Sequence, residues 1–328
     1  MIHQNMKPLD LLIVGCGPIG IACGLEAKKN GLDYLIIEKG CLVNSIYNYP
    51  VNMRFFSSSD LLEIDEIPFI SKEVKPNRDE ALEYYRRIVS SHKLQVNLFE
   101  KVTDIKKEND LFEIISEKTV YHAKHIIIST GFYDLPNKMK VKGEDLPKVS
   151  HYYKDPHYYA HQKVAVIGAS NCSVDAALEC YRKGAEVTMI IRGEAINKRV
   201  KYWVKPDIEN RIAEGSIKTY FNSSVAEILK DKLIISSPEG NIELPNDYVL
   251  ALTGYEPDFS FLKKINIRLA DDQTLRPLYN EETMETNVKG MYLAGVICGG
   301  METHKWFIEN SREHAKMIVA HVLKSRVA

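Results

Sequence analysis

The stretch LLIVGCGPIGIACGLEA, beginning at Leu11, constrains this chain more than any other. A short apolar run, Leu9–Val14, leads straight into Gly15-x-Gly17-x-x-Gly20, and a helical pattern follows as far as Asn30. Strand, glycine loop and helix in that order form the opening of a βαβ unit. Gly15 permits the tight turn, Gly17 lets the backbone approach a pyrophosphate, and Gly20 lets the helix pack closely. The pyrophosphate then meets unpaired N–H groups and the positive end of the helix dipole. A second strand, Tyr34–Ile37, ends in Glu38 at the distance where an acid accepts hydrogen bonds from a ribose. These features predict a dinucleotide site at the N-terminal end.

The pattern returns in mid-chain. Lys163–Ile167 reads as a strand, followed by Gly168, Ser170, Asn171 and Ser173 and a helix over residues 174–183, with the two serines replacing the second and third glycines. The next strand, 187–191, ends at Arg192 instead of an acid, with Lys198 and Arg199 beyond it. An acid would repel a 2′-phosphate and Arg192 can pair with one, so this loop is expected to prefer NADPH to NADH. For Lys198 and Arg199, a phosphate contact and a solvated loop are both open readings. An acid-ended fold followed by an arginine-ended one is what a flavoprotein reductase needs: one holds FAD and the other delivers hydride from NADPH.

A chain of 328 residues with 45% hydrophobic residues is long enough for two compact domains. The expected class is α/β, with two Rossmann-like, three-layer ββα nucleotide-binding domains. An FAD domain is expected over 1–140 and 275–328, with an NADPH domain over 155–260 inserted into it and crossovers at 141–154 and 261–274. Within the first, a helix is expected over 78–93, a β-meander over 96–123 and a buried strand over 125–129. A closing helix is expected over 303–324.

Lysine plus arginine, 43, nearly balances aspartate plus glutamate, 44, and no basic run is present, so a nucleic-acid partner is not expected. The longest uncharged stretch is too short and glycine-broken for a bilayer span, and Asp10 interrupts any signal-peptide reading, so the expected location is the cytoplasm. Six scattered cysteines without a CxxC pair give no support to a disulfide scaffold or a metal site.

The two glycine loops, with STGFYDLP (129–136), LTGYEPD (252–258) and GMYLAGV (290–296), resemble the thioredoxin-reductase-like flavoproteins over nearly the whole chain. IEKGCLVNSIYNYP, RFFSSSDLLEIDEIPFI and YLAGVICGG are more narrowly similar to bacillithiol-disulfide reductases of the YpdA type. The resemblance implies FAD, NADPH, reduction of a low-molecular-weight disulfide and a homo-oligomer. It implies FAD contacts from Gly15, Gly17, Pro18, Ile19, Gly20, Glu38, Lys39, Ser45, Asn48, Val102, Thr130, Gly131, Gly295 and Val296. For NADPH it implies Gly168, Ser170, Asn171, Ser173, Arg192, Lys198 and Gly254.

Departures from the family pattern bear on the chemistry. Thioredoxin reductases carry a CxxC in the NADPH domain; here Cys172 and Cys180 stand eight apart, about 12 Å along a helix and too far for a disulfide. Gly295-Val296 replaces the usual Gly-Asp pair. The resembling reductases place a thiol directly after the loop proline, where this chain has Ile19. Cys16 then has two readings, a nucleophile favoured by the helix N-terminus or a small spacer against the pyrophosphate. Cys298, before the closing helix, is the other candidate catalytic thiol, with a small loop residue as its alternative. His151, His304 and His314 are candidate proton donors to a leaving thiolate, with surface or structural roles as the alternative. Two other functions stay open: an FAD reductase serving ferredoxin, flavodoxin or oxygen, monooxygenases included, and an FAD-binding redox sensor.

Overall fold

The computed structural model describes residues 7–325. Its contacts divide the chain into two compact units, one of residues 1–48, 53–135 and 256–328, the other of 49–52 and 136–255. Residues 261–274, expected as a crossover, group with the first unit.

The first unit opens with β1 (Leu9–Val14), α1 (Pro18–Lys29) and β2 (Tyr34–Ile37). The short α2 (Asn44–Tyr47) and the longer α3 (Arg78–Ser91) follow. Asn77 and Glu80 cap α3 reciprocally: the Asn77 side chain accepts from the Glu80 N–H and the Glu80 carboxylate accepts from the Asn77 N–H. Ala81, Tyr84, Tyr85 and Ile88 share its buried face at helical spacing. Then come β3 (Val96–Asn97), β4 (Val102–Glu108), β5 (Leu111–Ser116) and β6 (Val120–Ile128). The sheet runs β3-β2-β1-β6-β5-β4, and Met291–Leu293 returns to pair with β6.

β6 corrects one expectation. The last meander strand and the buried strand are a single strand, antiparallel to β5 over residues 120–123 and parallel to β1 over 123–128. Its sequence records the change: exposure varies along Val120–His125, and Ile126, Ile127 and Ile128 are then all buried. A strand covered on both faces reads as a continuous apolar run.

The second unit has a five-stranded parallel sheet in the order Lys218–Tyr220, Glu186–Ile190, Lys163–Ile167, Tyr248–Ala251, Val149–Ser150. Period-two alternation sorts its residues into two cores. Val164 and Val166 join Val174, Ala177 and Leu178 of the helix Asn171–Arg182. Ala165 and Ile167 join Val225, Leu233 and Ile235 of an antiparallel meander, Ser224–Ile228, Lys232–Ser237 and Gly240–Pro245. Helix, parallel sheet and meander are the three layers expected of this fold class.

The closing segment differs from expectation. In place of one helix over 303–324 the chain forms a short turn of helix at Ile308–Ser311 and a longer one at His314–Ser325. Asn310 accounts for the late start: its side-chain oxygen takes the Phe307 N–H at 2.7 Å and its amide donates to the Lys305 carbonyl at 3.0 Å, a local closure that competes with helix.

The first glycine loop gives a test of the fold. A Cβ on Gly20 would stand 1.9 Å from the Gly15 carbonyl oxygen, whereas one on Gly17 would meet nothing within 4 Å. Gly20→Ala is expected to cost about 2–3 kcal/mol in denaturant unfolding, and Gly17→Ala about 0.5 kcal/mol or less.

Candidate cofactor sites

The three glycines of the first loop do different work. Gly15 sits at φ +106°, and a Cβ there would lie 2.6 Å from the Ser129 carbonyl oxygen, so turn and packing both exclude a side chain. Gly20 approaches the Gly15 carbonyl, and Gly24, one turn on, carries α1 against Ile36 of β2, where a Cβ would come within 2.6 Å. Gly17 alone faces open space. It is the N-cap of α1, has no side chain with which to cap, and precedes Pro18, whose missing N–H and preset φ suit the first helical position. No side chain caps the first N–H groups of α1, in contrast to α3 with its reciprocal Asn77–Glu80 cap. This cradle fits a dinucleotide pyrophosphate.

The loop is braced from several sides. Ser129 Oγ donates to the Val14 and Gly15 carbonyls, both at 3.0 Å. Glu38 is buried and accepts the Cys16 N–H at 2.8 Å and the Gly40 N–H at 2.9 Å. Burial raises its pKa, and those two N–H groups oppose the rise. The Cys16 carbonyl accepts the Val43 N–H at 3.1 Å. Val43 holds φ 47° and ψ 48°, a left-handed conformation that a β-branched residue takes only where surrounding contacts impose it. Ser45 and Asn48 follow on and after α2, with the Asn48 amide donating to the Asn44 carbonyl at 2.9 Å.

Thr130 and Gly131 continue from β6, Gly131 at φ +74° with open space beside it. Val102 is the buried first residue of β4. Ile19 is buried, and its side chain packs against Gly295, leaving 3.3 Å for any Cβ there. Val296 follows, partly exposed.

The candidate thiols and histidines are placed as follows. Cys16, Cys23 and Cys298 are fully buried. Burial, then the Glu38 charge, pushes Cys16 far above the usual thiol range; burial does the same to Cys298 and takes Cys23 up to about 12. Cys41 is partly exposed and also raised, chiefly by burial. Cys172 and Cys180 lie on one helix, the first exposed and the second buried. His314 is buried, and its Nδ1 accepts the Gly295 N–H at 3.1 Å. Burial lowers it to about 4, so at neutral pH it is an uncharged acceptor that holds Gly295 at φ +88°. Trp306 packs edge-on against its ring at 4.6 Å. His151 lies in the second unit, buried 3.5 Å from Glu144 and lowered by burial. His304 is exposed.

The second unit repeats the first loop's construction. Gly168 has φ +129°, and a Cβ on it would come within 2.6 Å of the Leu252 carbonyl, as Gly15 does with Ser129. Ser173, in the third glycine's place, is buried and donates to the Ser170 carbonyl at 2.8 Å. Ser170 is the N-cap of Asn171–Arg182 but makes no side-chain capping bond, which leaves that helix start available to an anion. Thr253-Gly254 match Thr130-Gly131, with Gly254 at φ +96°.

The basic loop is stitched to this site. Asn197 N–H donates to the Ala169 carbonyl at 3.0 Å, and the Lys201 N–H donates to the Asn171 side chain at 2.9 Å. Lys201 is buried and paired with Asp175 at 2.8 Å. Arg192, Lys198 and Arg199 are exposed, and no ion pair engages them among the described residues. Sequence reasoning missed Ser129, Val43 and Asn197. The repeated Thr-Gly pairs after Ser129 and Leu252 were a usable signal for the first. Nothing local marks the other two, which act through backbone groups brought near by the fold.

Comparison with known proteins agrees with this geometry. The pyridine nucleotide-disulphide oxidoreductase family matches residues 12–295. The chain belongs to that family. Its enzymes use FAD and a nicotinamide nucleotide, and this chain is an oxidoreductase of the same kind. It is 46% identical over 315 residues to a bacilliredoxin reductase of Bacillus subtilis, covering 95% of this chain and 97% of the relative. The solved bacillithiol disulfide reductase of Staphylococcus aureus superposes with a TM-score of 0.95 at 42% identity, covering 98% of this chain and all of that one. Thioredoxin reductase of T. acidophilum, at 19% identity and a TM-score of 0.77 over 98% of this chain, shares the fold. No helix among the described residues is long and apolar enough to cross a membrane.

His314 supplies a pH test. Its usual value is 6.5 and its buried value about 4, so as pH falls the unfolded chain binds this proton first. The stability His314 contributes is complete above pH 6.5 and is lost between there and pH 4, by about 2–3 kcal/mol. His314→Gln, which can still accept from Gly295, is expected to flatten that part of the urea-unfolding profile.

Proposed function

We propose that the chain is an NADPH-dependent flavin reductase of a small-molecule disulfide, bacillithiol disulfide being the substrate its relatives indicate. The observation that carries this reading is that one family member contains two glycine-loop cradles of the same construction, the first braced by a buried carboxylate, the second flanked by free cations. In this reading the first unit is the FAD domain and the second the NADPH domain. Glu38 spends one lone pair of each oxygen on the loop and keeps the others for a ribose. Arg192 takes the 2′-phosphate, assisted by Lys198. Bound FAD supplies a ring that accepts hydride from reduced nicotinamide and yields electrons to the acceptor.

The chain's own residues shape how that transfer ends. Ile19 occupies the position of the thiol found in the resembling reductases and cannot form a mixed disulfide. Cys16 and Cys298 are buried with their thiols held protonated, so we assign them as small packing residues and not as nucleophiles. His314, already accepting from Gly295, holds no proton on Nδ1 for a leaving thiolate. Reduction would therefore proceed at the flavin without a protein thiol relay. The burial of both Cys16 and Cys298 also favours a second reading, in which the acceptor is a redox protein such as ferredoxin. A cytoplasmic setting and a homo-oligomer belong to the first reading.

The test is anaerobic reduction followed by a panel of acceptors. NADPH should bleach the flavin faster than NADH, and Arg192→Gln should narrow that preference roughly tenfold or more. Bacillithiol disulfide should then sustain NADPH oxidation in the wild type, Cys16→Ser and Cys298→Ser alike. Turnover with ferredoxin and with no disulfide would overturn the first reading in favour of the second.

A further inference from the structure

Two of the residues that the family resemblance implies as FAD contacts, Lys39 and Asn48, are engaged within the protein. Lys39 Nζ lies 2.6 Å from Asp134 Oδ2. The Tyr133 hydroxyl donates to the Asn48 carbonyl at 3.4 Å. In both cases the segment after β2 is joined to the segment after β6.

Those two strands are not neighbours. Val14 at the end of β1 pairs with Ile37 of β2 on one side and with Ile128 of β6 on the other. With strands about 4.8 Å apart, the ends of β2 and β6 stand roughly 10 Å from each other. The glycine loop leaves β1 between them. Both ties therefore reach across the crest on which that loop sits, and the open spaces beside Gly17 and Gly131 belong to the same crest.

We propose that the Lys39–Asp134 ion pair, with the Tyr133–Asn48 hydrogen bond beside it, is a latch that closes the crest and retains the FAD. Lys39 and Asp134 are thus positioning residues for the cofactor: they hold two flanking segments together and limit its escape. This rests on the first unit being the FAD domain. The latch is electrostatic and accessible, with side chains 41% and 30% exposed, so salt weakens it. Tyr133 is buried and supplies the part that salt does not reach.

The test follows FAD release from purified holoenzyme after dilution, read as the rise in free-flavin fluorescence, at low and high salt. Wild type should release FAD faster at high salt. Lys39→Gln and Asp134→Asn should each release it roughly three- to tenfold faster at low salt, with the salt dependence lost. The charge-reversed double variant, Lys39→Asp with Asp134→Lys, should return towards the slow, salt-sensitive release. A merely structural role would not give that rescue. Release from the single variants at the wild-type rate, or a double variant as fast as the singles, overturns the latch. Protein that takes up no FAD overturns the domain reading, and the latch with it; retention of FAD with unaltered release overturns the latch alone.

Discussion

The approach of the Ser129 carbonyl to the α-carbon of Gly15 is the contact on which the first unit depends. Parallel strands β1 and β6 end in register, and the chain leaving β1 must turn at once to enter α1. The turn is tight enough that no side chain fits at Gly15 or Gly20. That tightness brings the first N–H groups of α1 to the crest and makes them available to phosphate. The second unit meets the same geometric demand with different residues: Gly168 faces the Leu252 carbonyl, and Ser173 stands where the first loop has Gly20. Serine is tolerated there because its hydroxyl turns back onto the Ser170 carbonyl, which makes a polar side chain part of the loop.

Burial then decides which groups are left to do chemistry. In the first unit every mechanism that could activate a thiol is outweighed by desolvation, and the nearest charge to Cys16 is the carboxylate of Glu38, which opposes a thiolate. His314 is driven the other way, to the neutral form, and becomes a backbone acceptor. The unit presents packing, dipoles and backbone donors around its crest in place of titrating side chains. In the second unit, Arg192, Lys198 and Arg199 are exposed beside the glycine loop, with no ion pair among the described residues. Such a division suits a site whose reactive centre is a bound cofactor.

What could be read from the residues beforehand was the part written in short spacings. GxGxxG, the acid after β2 and the arginine after Glu186–Ile190 are local patterns, and each sits where its spacing implies. The continuity of β6 was hidden because one strand serves an antiparallel partner at its start and a parallel one at its end, so its periodicity changes midway. The closing helix was overextended because Lys305, Phe307 and Asn310 satisfy one another locally, which an apolar pattern does not reveal. Glu38 illustrates a further limit: its position was legible, but the two backbone N–H groups it holds were not, since one comes from Cys16, twenty-two residues away in sequence.

Cys16 and Ile19 together decide how the loop should be understood. A cysteine between two loop glycines invites a redox role, yet its backbone is clamped on both sides, N–H to Glu38 and carbonyl to Val43, and its side chain is sealed from solvent. The side chain is fully enclosed, so a larger residue there would have to push its neighbours aside, and smallness is what the position requires. Ile19 stands under the opposite constraint. It is the second residue of α1, packs on Gly295 and meets the segment held by His314, so its side chain joins the glycine loop to the closing segment of the same unit. Exchanging it for cysteine would remove methyl groups from that contact and present a thiol at the helix start. In the proposed reaction an isoleucine there forms no mixed disulfide, so selectivity for an acceptor would come from the shape and charge of the surface through which electrons leave.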